Sequence, residues 1–142
     1  MENLGKTIDV KTCVSYTAAA AANATGAEVD MQGYEGVIFI VGLGTSAVDN
    51  GIKAQQDTVT GMGNGADLLG SQVLLDGTET IAIVEIHKPR ERFLRPIVVR
   101  GTSTTIEWCI AIKYGAHKRP VDLNALADVA YELHVSPAEG TA

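Results

Sequence analysis

Residues Gly36–Leu43, GVIFIVGL, run for eight positions without a polar side chain, and four of the eight are β-branched. Branching at Cβ restricts χ1 and suits a pleated strand better than a helix. A strand with one wet face alternates apolar and polar residues, so an unbroken apolar run predicts a strand buried on both sides. The run is also far too short to span a bilayer as a helix, which takes about 20 residues.

Extended segments are predicted on either side of this run. They cover Ile8–Thr17, Ile52–Thr58, Val73–Leu75, Thr80–Ile86, Phe93–Arg100 and Thr104–Tyr114. In the last, Ile106, Trp108, Ile110 and Ile112 alternate with Glu107, Cys109, Ala111 and Lys113, a period of two that predicts one core face and one mixed face. Asp49-Asn50-Gly51 and Asp76-Gly77-Thr78 read as turns, because Asn and Gly accept positive φ cheaply. Gly61–Gly70 holds four glycines in ten residues and predicts a mobile or tightly turned loop. The alanines Ala18–Ala22 favour helix but are too few to nucleate one, and the turn signal at Asn23–Gly26 makes a strand end and loop the better reading.

Aromatic residues make up only 5% of the chain, with Trp108 the single tryptophan, so the core must rest on Val, Ile, Leu and Ala. The expected fold is all-β: a β-sandwich or jelly-roll of about seven or eight short antiparallel strands joined by glycine-rich turns. Its 142 residues fit one such domain over 1–120. Residues 121–142 follow as a C-terminal arm or a short helix. Asp122 would cap that helix, with Leu123, Leu126, Ala127 and Ala130 on one stripe; the arm is the preferred reading.

Side chains that could converge on a reaction are scarce. His87, His117 and His134 share no metal-ligand spacing, and Cys13 and Cys109 are too few for a disulfide framework and read as buried thiols. Gly42-Leu43-Gly44 leads into no phosphate-binding Gly-Lys-Ser/Thr, and the serines include no nucleophile elbow. Asp49-Asn50-Gly51 lacks the remaining ligands of a calcium loop. The expectation is a protein that is not an enzyme and needs no cofactor or metal. The N-terminus carries no basic segment followed by an apolar one, so a soluble chain made in a reducing compartment is expected.

Charge is segregated along the chain. Residues 1–87 carry three basic and eleven acidic side chains, 88–119 carry eight basic and two acidic, and 120–142 carry four acidic and none basic; the nets of −8, +6 and −4 give the total of −6. The basic segment centres on Glu85–Gly101, with Lys88, Arg90, Arg92, Phe93, Arg95 and Arg100 as the candidate interface residues. An arginine fork grips carboxylates on a partner protein. Two other readings stay open: a local network satisfied within the chain, and phosphate contacts to nucleic acid. The last is disfavoured by the acidic whole and by the absence of a stacking array.

Several of these segments together resemble a known group. Asp30-Met31-Gln32-Gly33-Tyr34, the strand Val37–Val41 and Lys53-Ala54-Gln55-Gln56 come first. Lys88-Pro89-Arg90-Glu91-Arg92-Phe93-Leu94-Arg95-Pro96, Ile112-Lys113-Tyr114-Gly115 and Lys118-Arg119-Pro120 follow in order. The succession, over residues 8–120, resembles small structural proteins of tailed phages whose better-understood relatives are capsid decoration (cement) proteins. The resemblance implies a virion protein, made in the host cytoplasm, that binds the major capsid protein on the outside of the head and stabilises it. It further implies self-association, as a homotrimer, and no nucleic-acid or membrane partner. A head–tail joining or tail component, or a cell-surface ligand-binding β module, are the alternatives. No active site comes with the resemblance.

Overall fold

Seven strands of four residues or more carry the chain: β1 (Asp9–Val14), β2 (Thr17–Ala20), β5 (Gly36–Leu43), β6 (Asn50–Asp57), β9 (Ile81–His87), β10 (Phe93–Arg100) and β11 (Thr104–Tyr114). Four two-residue strands, β3 (Ala24–Thr25), β4 (Val29–Asp30), β7 (Ala66–Asp67) and β8 (Val73–Leu74), bring the number to eleven. The computed structural model describes residues 2–136 and 138–141. Helical backbone among them is confined to two 3-10 turns, Leu4–Lys6 and Leu123–Ala125. Among the described residues no helix is long and apolar enough to cross a membrane.

All pairings are antiparallel and form two sheets, as the expected β-sandwich requires. The first sheet runs β1-β11-β5-β9, with β2 continuing the β1 edge along β11. The second runs β3-β10-β6-β7, with β4 extending the β3 edge and β8 the β7 edge. When the two-segment edges are each counted as one position, eight positions result, in the orders 1-8-3-6 and 2-7-4-5.

The core lies between the sheets. Val37, Phe39, Val41 and Leu43 point inward from β5, meeting Ile52 and Ala54 of β6 and Leu94 and Val98 of β10. Cys13 from β1, Ala82 and Val84 from β9, and Ile106, Cys109 and Ala111 from β11 complete it. Burial raises the Cys13 thiol to about 11 and the Cys109 thiol to about 12.

The longest strand, β11, departs from strict alternation. The pairing of β11 with β5 shifts between Ile106 and Trp108. A bulge there puts an extra residue on β11, so the inward positions pass from even, Ile106, to odd, Cys109 and Ala111. Trp108, Ile110 and Ile112 are thereby turned to the outside.

The glycine-rich loop after β6 is tightly turned. The carboxylate of Asp57 accepts from the backbone N–H of Val59 (3.0 Å) and Asn64 (3.0 Å), and Met62 is buried at 2% exposure. After Pro120 the chain folds back on its own start. Val121 N–H donates to Lys6 O (2.9 Å), Leu123 is buried, and the Asn124 amide brackets the backbone of Tyr131 at 2.9 Å on both sides. Asp122 caps the turn as the sequence suggests, accepting from Asn124 N–H, but only Leu123–Ala125 is helical.

Candidate functional site

The basic segment is the first candidate, and the fold spends most of its charge internally. Arg92 makes a bidentate pair with Asp30, Nε to Oδ1 at 2.9 Å and Nη2 to Oδ2 at 2.8 Å, while its guanidinium lies 5.2 Å from the ring centre of Phe93. That pairing holds the Asp30 carboxyl below the usual carboxylate range. Arg95 donates to Gln55 Oε1 (2.9 Å) on the outer face of the second sheet. Lys113 pairs with Asp9 (2.8 Å) and sits over the Tyr34 ring, and Arg119 pairs with Glu2 (2.7 Å).

Arg100 belongs to the interior. It is 5% exposed and donates to three carbonyls: Nε to Ala22 (2.6 Å) and Nη1 to Ala18 and Thr104 (3.1 Å each). These contacts fix the alanine segment where the chain crosses from β2 in one sheet to β3 in the other. Three of the five guanidinium N–H donors are committed to these carbonyls, and at 5% exposure the group presents almost no surface to a partner. Among the described residues, Lys88, Arg90 and Lys118 alone of the eight basic side chains make no hydrogen bond or ion pair.

Lys88 and Arg90 line a shallow recess of about 420 Å³ together with Tyr34, Glu35, Arg92 and His117. Its walls come from three distant parts of the sequence, joined by backbone hydrogen bonds. Met31 N–H donates to Arg92 O (2.8 Å), Lys88 N–H to Glu35 O (2.8 Å) and His117 N–H to Gly33 O (2.8 Å). The Asp30–Tyr34 and Lys88–Pro96 motifs therefore meet at one end of the sandwich, beside His117, which lies between the Ile112–Gly115 and Lys118–Pro120 motifs.

The second candidate is the outer face of the first sheet. The register lays out four cross-strand rows: Tyr114, Gly36, His87; Val10, Ile112, Ile38, Glu85; Thr12, Ile110, Ile40, Ile83; and Trp108, Gly42, Ile81. Six isoleucines thus share one outward face, and Ile81 and Ile83 are 53% and 51% exposed.

Both aromatic side chains of β11 lie over glycines of β5. A Cβ on Gly42 would stand 2.8 Å from the Trp108 ring, and one on Gly36 would collide with the Tyr114 hydroxyl. The two glycines thus leave room for the rings close over the backbone of β5. At the Gly36 end, Tyr114 stacks with His87 and donates to Glu85 Oε1 (2.6 Å). Desolvation, with Glu85 adding to it, raises the Tyr114 hydroxyl to about 12.

The outer face of the second sheet looks different. Lys53 and Gln55 both bind Asp67, at 2.6 and 2.7 Å, and Arg95 joins through Gln55. That is the polar lattice a water-facing sheet carries, whereas the isoleucine face has polar contacts only at its Gly36 end. The unbroken run of β5 predicted burial on both sides; the fold buries one side and leaves Ile38 and Ile40 half-exposed on the other. Sequence reasoning missed this face. The signal lay in that run and in the outward isoleucines of β9.

No family model, no curated protein and no solved structure matches the chain.

Proposed function

We propose that this chain is a structural protein of a tailed-phage particle, a decoration (cement) protein of the head, acting by binding protein surfaces and not by catalysis. The observation that carries the protein-binding part is the outward face of six isoleucines and Trp108 on the first sheet. Contiguous exposed apolar surface of this kind marks interaction sites, because leaving it in water forfeits about 25 cal/mol per Å².

Two further observations support the phage assignment. Two motifs of the resemblance, Asp30–Tyr34 and Lys88–Pro96, distant in sequence, line one recess at Lys88 and Arg90, as parts of one working unit would. The strand orders 1-8-3-6 and 2-7-4-5 are those of a jelly-roll, an architecture found in viral capsid domains and equally in lectins and cupins. Fold alone does not choose among these, so the motifs carry the choice. In this reading the free Lys88 and Arg90 meet carboxylates of the major capsid protein.

The test is composition and position in purified particles. The account expects the chain in many copies per particle, with density over the whole head surface, and expects heads stripped of it to rupture at lower temperature. Density confined to the tail or its junction with the head would replace decoration with a joining role. Absence of the chain from purified particles contradicts the proposal.

A further inference from the structure

We infer that the isoleucine face of the first sheet is covered by the same face of a second copy of this chain, the two sheets stacking as a third apolar layer between two sandwiches. The inference rests on the protein-binding reading of that face and names its occupant.

Shape and chemistry both select a second copy. Gly42 and Gly36 seat the Trp108 and Tyr114 rings close over the β5 backbone, where a side chain on either glycine would push them outward. An aliphatic sheet face complements itself, and two sheets stacked about 10 Å apart interdigitate their side chains as this protein's own core does. The centre of the face, Ile38, Ile40, Ile83, Ile110 and Ile112, carries no charge, so like on like incurs no repulsion. Glu85, the one carboxylate in the rows, sits at the polar end, bound by Tyr114.

Size is also sufficient. Four strands spaced about 4.8 Å apart, with outward rows about 6.7 Å apart, give a footprint of roughly 20 by 25 Å, so a stacked pair covers on the order of 1,000 Å² in total, the lower bound for a specific interface. A pair of this kind is isologous and closes at two copies. The doubly apolar β5 is then buried on both sides, as its sequence demands, with the second side supplied by the partner copy.

Sedimentation velocity of the full chain over a wide dilution series tests this. The expected result is twice the chain mass, falling to the chain mass on dilution. The double variant Ile81→Lys, Ile83→Lys should sediment as one copy at every concentration, with the far-ultraviolet dichroism of the native fold. Ile81→Thr with Ile83→Thr serves if the lysines prevent folding, since threonine keeps the β preference. Arg90→Glu, away from the face, should leave the pair intact.

A wild type of one-chain or three-chain mass overturns the inference, as does a pair that survives in the folded variants. Scoring attachment to particles on the same proteins separates the two readings. A single-copy wild type whose attachment the face variants abolish overturns the pairing but keeps the face as a protein-binding surface. A pair lost in the variants supports the pairing whether or not either form attaches.

Discussion

Arg100 shows how a single buried charge organises a crossover. Three backbone carbonyls from Ala18, Ala22 and Thr104 would be orphaned without it. Replacing it with methionine keeps the volume and removes the donors, and should destabilise the fold by about 2–4 kcal/mol, read from denaturant unfolding. Arg92 is different: its pair with Asp30 is exposed, so Arg92→Ala should leave stability nearly unchanged, and with Arg95→Ala should weaken particle attachment more than folding. If attachment survives while the isolated chain unfolds, the basic corner is a structural network only.

Titration at the residue scale follows from the same contacts. Asp30, Asp57, Asp67 and Asp76 all have carboxyls held below the ordinary range, by Arg92, by Val59 N–H, by Lys53 and by Thr78 in that order. Their contribution to stability is complete above the unfolded value of about 4 and is lost as pH falls through the lower folded values. Cys13, Cys109 and Tyr114 are raised, to about 11, 12 and 12. Stability should therefore decline again above about 8.5, where unfolded thiols begin to ionise and folded ones do not. A thermal midpoint flat from about pH 5 to 8 and falling on both sides is the expected profile. A midpoint that keeps rising to pH 10 would contradict it.

At the scale of elements, β10 and β11 have the bounds predicted for them, β11 because its period of two runs over many residues. What the pattern does not encode is the bulge after Ile106. One unpaired residue exchanges the two faces, and bulges carry no compositional mark in Glu107 or Trp108. For that reason the larger side chains of β11 face out and Cys109 and Ala111 face in. Likewise the Ile8–Thr17 segment divides at Ser15 and Tyr16 into β1 and β2, a break set by pairing with β11 and not by local propensity. The basic corner was legible as a cluster of charge, with a local network among its open readings; the partner of Arg92 was not legible, since Asp30 lies 62 residues away.

Gly42 offers the sharpest test at this scale. Gly42→Ala places a methyl where the Trp108 ring lies, and the ring, being at the surface, lifts away. Stability should change by less than about 1 kcal/mol, while tryptophan emission shifts to the red and the face is spoiled. Phe39→Ala on the opposite side of the same strand should instead cost about 3–5 kcal/mol, because it empties the core. Equal effects of the two substitutions would mean that the two sides of β5 are not as different as the burial pattern states.

The whole molecule is a sandwich with two unlike exteriors. One carries a lattice of Lys53, Gln55, Asp67 and Arg95, and the other six isoleucines flanked by two rings seated over two glycines. The central claim is that this second exterior is a working protein surface. Trp108, the only tryptophan in the chain, lies in it and is 38% exposed in the single copy. Quenching of its emission by acrylamide, followed as the protein is diluted from high concentration, reads the state of the face directly. The account predicts a shielded tryptophan when concentrated that becomes accessible on dilution, and one accessible throughout in the Ile81→Lys, Ile83→Lys variant. A wild-type tryptophan equally accessible at every concentration and unshielded when particles are added would contradict it.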